Sequence, residues 1–132
     1  MNEQNHEAVR QWRAKAQSDW DAVEILIASE RCPNDTVCFH CQQFVEKLLK
    51  ALLTQNNIEA PKTHDLRRLI QLAQPFAPEL SLLADVSDEL TVHGVETRYP
   101  GELRQIKKTE MKRVVELARR FRDILLIKLE KS

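Results

Sequence analysis

Apolar residues recur every three or four positions through most of this chain, a spacing that fits the amphipathic helix and little else. Val9, Trp12, Ala16, Trp20, Val23 and Ile27 form the first stripe and predict a helix from about Glu7 to Ser29. Pro33 and Asn34 break it, and Asp35 is a plausible N-cap for the second helix. That helix has the widest apolar face in the chain. Val37, Cys38, Cys41, Phe44, Val45, Leu48, Leu49 and Leu52 place it from about Thr36 to Gln55. Asn56 and Asn57 close it, because Asn tolerates the left-handed conformation at a helix end. Thr63 is expected to cap a short third helix that buries Leu66, Leu69, Ile70 and Ala73, with Pro75 ending it. A fourth helix is predicted from Pro78 to a stop at Gly94, lined by Leu82, Val86, Leu90 and His93, with Leu83 beside them. Val95 to Lys108 reads as the longest loop. Thr109 is expected to cap a last helix from Glu110 to about Glu130, with Met111, Val114, Val115, Ala118, Phe121, Leu125 and Leu129 inside.

No segment alternates with the period of a strand, and 2 glycines among 132 residues leave little material for tight turns. The prediction is an all-α, up-and-down bundle of about five helices, one domain over residues 1–132. Three of its helices carry more apolar surface than a small bundle hides, which points to a self-associating face and a homodimer. No apolar run is long enough for a bilayer, and the first residues lack the layout of a secretion signal. Three cysteines, an odd number, then suit reduced thiols in the cytoplasm.

Lys plus Arg and Asp plus Glu are 20 each, so bulk charge does not drive nucleic-acid binding. The neutral total conceals an asymmetry. Residues 1–30 hold three cations and six carboxylates, whereas residues 101–132 hold ten cations and five carboxylates. The basic C-terminal helix is either a solvated face laced with opposite charges or a nucleic-acid footprint.

Four groups of residues invite a chemical reading. On the second helix His40, Gln43, Lys47, Lys50 and Thr54 fall opposite the leucines. Two amines, an amide and an imidazole could hold a phosphate and a base, or form an ordinary polar face with Glu46 paired to Lys50. Lys62, His64, Arg67 and Arg68 surround the start of the third helix. There an anion could dock, or Thr63 could cap while His64 bonds a neighbouring helix end. Cys38 and Cys41 form a lone C-x-x-C on the leucine side, which suits buried thiols better than a zinc site that needs four ligands. His93 and Arg98 could divide the work of RNA cleavage, proton transfer and charge stabilisation, although His93 also continues an apolar stripe. The two tryptophans follow the core stripe and read as packing. Gly-rich phosphate loops, nucleophile elbows and His-Glu-x-x-His are absent.

The run Cys38-Phe-His-Cys-Gln-Gln-Phe-Val-Glu-Lys-Leu-Leu-Lys-Ala-Leu-Leu53, with Ile58-Glu-Ala-Pro-Lys-Thr-His-Asp-Leu66 and Arg98-Tyr-Pro100, resembles the HEPN domain family. The resemblance covers most of the chain, from Trp12 to the last helix. It implies a dimerising all-α bundle with a nucleotide- or RNA-related role, in a family whose members are often encoded beside a minimal nucleotidyltransferase as toxin–antitoxin pairs. It also implies that catalytic members are metal-independent RNases marked by an Arg, four to six intervening residues, and then a His. Here no His follows Arg98, and His93 precedes it, so the usual motif is absent. The expected ligand-binding residues are His40, Gln43, Lys47, Lys50, Lys62, His64, Arg67, Arg98 and Tyr99, with His93 and Arg98 as the catalytic candidates. No metal, cofactor or membrane is expected. The expected partners are a second copy, a nucleotidyltransferase, and a nucleotide or RNA.

Overall fold

The computed structural model describes residues 2–94 and 105–130. Among them there are helices and connecting turns, and no strand. Helix α1 spans Glu3–Ile27, α2 Asn34–Gln55, α3 Leu66–Ala73, a 3-10 helix Pro78–Leu83, α4 Asp88–Thr91 and α5 Lys108–Glu130. The expected all-α bundle is what the chain forms.

Helix α1 starts earlier than its apolar stripe because Asn2 caps it, its side chain accepting from the Asn5 amide at 2.8 Å. The stripe itself is inside: Val9, Ala16, Trp20 and Val23 are buried. Helix α2 starts at Asn34 rather than Thr36, with Pro33 at its cap position. It ends as expected, Asn57 taking the left-handed conformation at φ 63°. Thr63 is not the cap of α3. Asp65 holds that position and accepts from the Arg67 amide at 3.1 Å, while the Thr63 hydroxyl accepts from the Asp65 amide. Helix α5 begins at Lys108, which places Thr109 inside its first turn.

The fourth helix departs from expectation. Residues 78–93 form a 3-10 helix, turns and one short α-turn, not a continuous α-helix. Leu82, assigned to the core at the α-helical period, is 77% exposed. The buried set is Ala77, Leu80, Leu83, Ser87, Leu90 and His93. Its steps are nearly all of three, the repeat of the 3-10 helix, so the tighter winding selects a different face.

Helix α2 is the axis of the bundle. Asn5 at the start of α1 donates to Asn57 just past α2 at 2.6 Å, so these two helices run antiparallel. Asn34 donates to the Ile106 carbonyl at 3.0 Å, and Gln55 to the Lys128 carbonyl at 3.2 Å, so α2 and α5 run parallel. The chain returns between them along residues 78–93, from the Glu79–Lys128 ion pair to the Glu89–Arg113 pair. Trp20 ties the layers together, its ring 4.8 Å from that of Phe44 on α2 and 5.0 Å from the Arg122 guanidinium on α5. Helices α1 and α5 each pack along α2, and their own backbones stay apart.

The apolar residues that suggested a dimer face are absorbed by this arrangement. Nearly all of them lie in one internal cluster, and among the described residues the large exposed ones are Ile25, Ile27, Leu82, Val92 and Ile127. Two consequences are measurable. Gly94 lies against the fully buried Gln42 amide, and a Cβ there would approach its Cδ to 2.9 Å. Gln42 cannot swing aside without losing three hydrogen bonds. Gly94→Ala is therefore expected to destabilise by about 1–3 kcal/mol in urea titration, with a smaller cost in a Gln42→Ala background. Cys38 and Cys41 are buried, and burial, with neighbouring Cys38, raises the Cys41 thiol far above its ordinary range. Native protein at neutral pH should show one thiol reactive toward a disulfide reagent, the half-buried Cys32, and three in denaturant.

Candidate functional site

Helix α2 is packed on most sides, so the face opposite its leucines is largely covered, with His40, Gln43, Lys47 and Thr54 half-buried. A buried charge needs a partner, and two carboxylates supply them. Asp19 of α1 receives two of the expected ligand residues. His40 Nδ1 lies 2.8 Å from its Oδ1, and Lys47 Nζ donates to Oδ2 at 2.5 Å. Glu46 of α2 receives two more. Lys50 Nζ donates to its Oε2 at 3.0 Å, as the spacing along the helix anticipated, and His64 Nδ1 lies 2.8 Å from Oε1. Gln42 Nε2 adds a bond to that same Oε1 at 3.1 Å and another to the His64 carbonyl at 3.0 Å. Gln43 in turn donates to Gln42 Oε1 at 2.7 Å. His40, Lys47, Lys50, Gln43 and His64 thus meet in two neighbouring networks. Their mutual arrangement differs from expectation: they face inward and across to α1 and the loop, not outward together.

His64 bridges inside and outside. Its side chain is 61% exposed while its Nδ1 engages the buried Glu46, which fixes the start of α3 against α2. Lys62, two residues earlier, is exposed and has no hydrogen-bond or ion-pair partner among the described residues. Arg67 turns to the other side and pairs with Asp88 at 3.0 Å and Asp85 at 3.6 Å. The hydrogen bond from Arg67 to Asp88, and that carboxylate's charge, hold the guanidinium above its ordinary pKa. His93 lies on the return leg, next to the Gly94 that packs on Gln42. Its ring is 1% exposed, with Nε2 3.2 Å from Glu110 Oε2. Arg98 and Tyr99 lie outside the described residues.

A cleft opens beside the Glu46 network. It holds about 420 Å³ and is lined by Asn5 and Trp12 of α1, Thr54 of α2, and Asn57, Ile58, Glu59 and Ala60 of the following loop. The left-handed Asn57 turns the chain there, and its bond to Asn5 closes one side. Trp12 is half-buried, and two ammonium groups lie over its ring, Lys50 at 5.5 Å and Lys15 at 5.8 Å. Such contacts hold both the ring and the cations in place. An indole, two amides, a hydroxyl and a carboxylate, with two lysines over the indole, can accept a planar, hydrogen-bonding ring carrying negative charge. Sequence reasoning missed Asp19, Gln42, Asn5 and Asn57 as members of these networks, and took Trp12 for packing alone. Asp19 left one signal, a carboxylate within the spacing of Ala16, Trp20 and Val23.

Among the described residues no group of His, Cys, Asp and Glu could hold a metal ion. Nor is any helix there long and apolar enough to cross a membrane. No curated protein and no solved structure matches the chain. The family described as HEPN domain matches residues 9–129, nearly its whole length. With its all-helical bundle and that match, the chain belongs to the HEPN domain family, a family of nucleotide- and RNA-related modules.

Proposed function

We propose that this protein is the nucleotide- or RNA-binding component of a nucleotidyltransferase-associated, toxin–antitoxin-like system, acting in the cytoplasm as a homodimer. The family supports the coarse part of this reading, since HEPN domains commonly dimerise and bind RNA. The observation that carries the binding part is the cleft beside Trp12, where Lys15 and Lys50 lie against the ring and Lys62, unpaired among the described residues, stands two residues beyond Ala60. A base or sugar would sit against Trp12 and the Asn5–Asn57 pair, with its phosphate among the lysines. Gln43 and His64 contribute at one remove, through the Glu46 network that holds Lys50 and the loop, and His40 and Lys47 through Asp19, which ties α1 to α2. Arg67, turned toward Asp85 and Asp88, is a candidate contact away from the cleft, and Arg98 and Tyr99 are candidates on the strength of the resemblance. The alternative, a metal-independent RNase using Arg98 and His93, has weaker support, because a general base must reach the 2′-hydroxyl and the His93 ring is enclosed beside Glu110.

Titration with mononucleotides and short single-stranded RNAs, followed by tryptophan fluorescence, tests the reading. Saturable binding below millimolar ligand is expected. Lys62→Glu should weaken it by about fivefold or more, the loss of roughly 1 kcal/mol of phosphate contact. Absence of binding at millimolar ligand, with and without a co-expressed nucleotidyltransferase, would reject it.

A further inference from the structure

The far end of α1 carries a second concavity of different chemistry. Because α1 and α5 both lie on α2 while their backbones stay apart, a groove of about 470 Å³ remains between the end of α1 and the first half of α5. Its apolar part is Ile27, Met111 and Val115, and its rim carries Lys108, Lys112 and Arg119 together with one carboxylate, Glu116. Ile27 is exposed, and Met111 and Val115 are nearly covered, so the apolar part has an open edge and a packed floor.

The rim charges do nothing evident for the fold. Lys108 and Lys112 are exposed and have no ion-pair partner among the described residues. Arg119 pairs, among the described residues, with Glu116 of its own helix at 3.7 Å. Lys108 opens the first turn of α5, where the helix dipole disfavours a cation, and Lys112 follows one turn on. The neighbouring Arg113 shows what the same helix does when charge serves packing: it donates two hydrogen bonds to Glu89 across the return leg.

The geometry points to this groove as the docking site for an acidic, amphipathic helix of a partner protein, aliphatic side chains on Ile27, Met111 and Val115 and carboxylates on Lys108, Lys112 and Arg119. Along α5 the first two cations are separated by about 6 Å and the last two by about 10 Å, so the rim matches a partner helix of about three turns. Met111 provides an adaptable floor for aliphatic side chains. An RNA strand would match the cations, but the lining offers no aromatic ring on which a base could stack. A second copy placed symmetrically over the groove would set a rim of three cations and one carboxylate against the same rim, a contact of net like charge. The proposal stands apart from the nucleotide reading. Asn5 at the first cleft and Ile27 at this groove are about 33 Å apart along α1.

Fluorescence polarisation at physiological salt tests it, with the full chain and a labelled 16-residue Leu/Glu peptide patterned as an amphipathic helix. Comparison probes are an all-Glu peptide and single-stranded oligo(A). Saturable binding of the Leu/Glu peptide is expected, at least tenfold tighter than the all-Glu peptide. Lys108→Glu/Lys112→Glu should weaken it at least tenfold and Ile27→Ser at least threefold, with nucleotide titration unchanged in both. No binding of the Leu/Glu peptide, or equal binding of the all-Glu peptide, would overturn the proposal. So would indifference to the double charge reversal in a variant whose thermal transition matches the parent, or oligo(A) occupying the groove in the peptide's place.

Discussion

Burial of α2 on nearly every side constrains everything else in this bundle. A helix packed by α1, by α5 and by the α3–α4 leg gives little of its surface to water, yet its sequence carries His40, Gln42, Gln43, Glu46, Lys47 and Lys50 in its central turns. Each must find its partner inside the protein, since a buried charge without one costs several kcal/mol. Asp19 and Glu46 meet that requirement, each serving one lysine and one imidazole. The consequences spread outward. Glu46 fixes His64 and with it the start of α3. Gln42, bonded to the same carboxylate, fills the space that Gly94 leaves.

Periodicity made the long elements legible. α1, α2 and α5 fall where the apolar steps place them, the Asn57 turn is where Asn chemistry puts it, and the Glu46–Lys50 pair obeys a spacing of four. The return leg was not legible, because a helical wheel assumes 3.6 residues per turn and Leu80, Leu83, Leu90 and His93 are wound nearer three. The caps moved by one or two residues for a related reason. Thr63 and Asp65 both offer a side-chain oxygen, and only the folded backbone decides which one reaches the free amide.

The site was half legible. His40, Lys47, Lys50 and His64 were correctly singled out as unusual, but a wheel cannot count how many neighbours a helix has. Their face was read as open because only the leucines were counted as core. Asp19 escaped notice because one carboxylate inside an apolar stripe resembles a tolerated exception. Trp12 satisfies two roles at once, packing along α1 and lining the cleft, and sequence spacing reports only the first. The charge asymmetry of the chain also gains a location. Part of the basic excess of its last quarter, unpaired among the described residues, sits along the rim of the α1–α5 groove, at the opposite end of α1 from the Trp12 cleft.

The claim that internal ion pairs, not solvated polar residues, occupy the centre of α2 is tested most directly by a double-mutant cycle at Glu46 and Lys50, read by denaturant unfolding. Lys50→Met and Glu46→Gln should each destabilise, and the double variant should recover part of the loss, giving a coupling of about 1–3 kcal/mol. Additivity within about 0.5 kcal/mol, the behaviour of independent exposed side chains, would contradict the account.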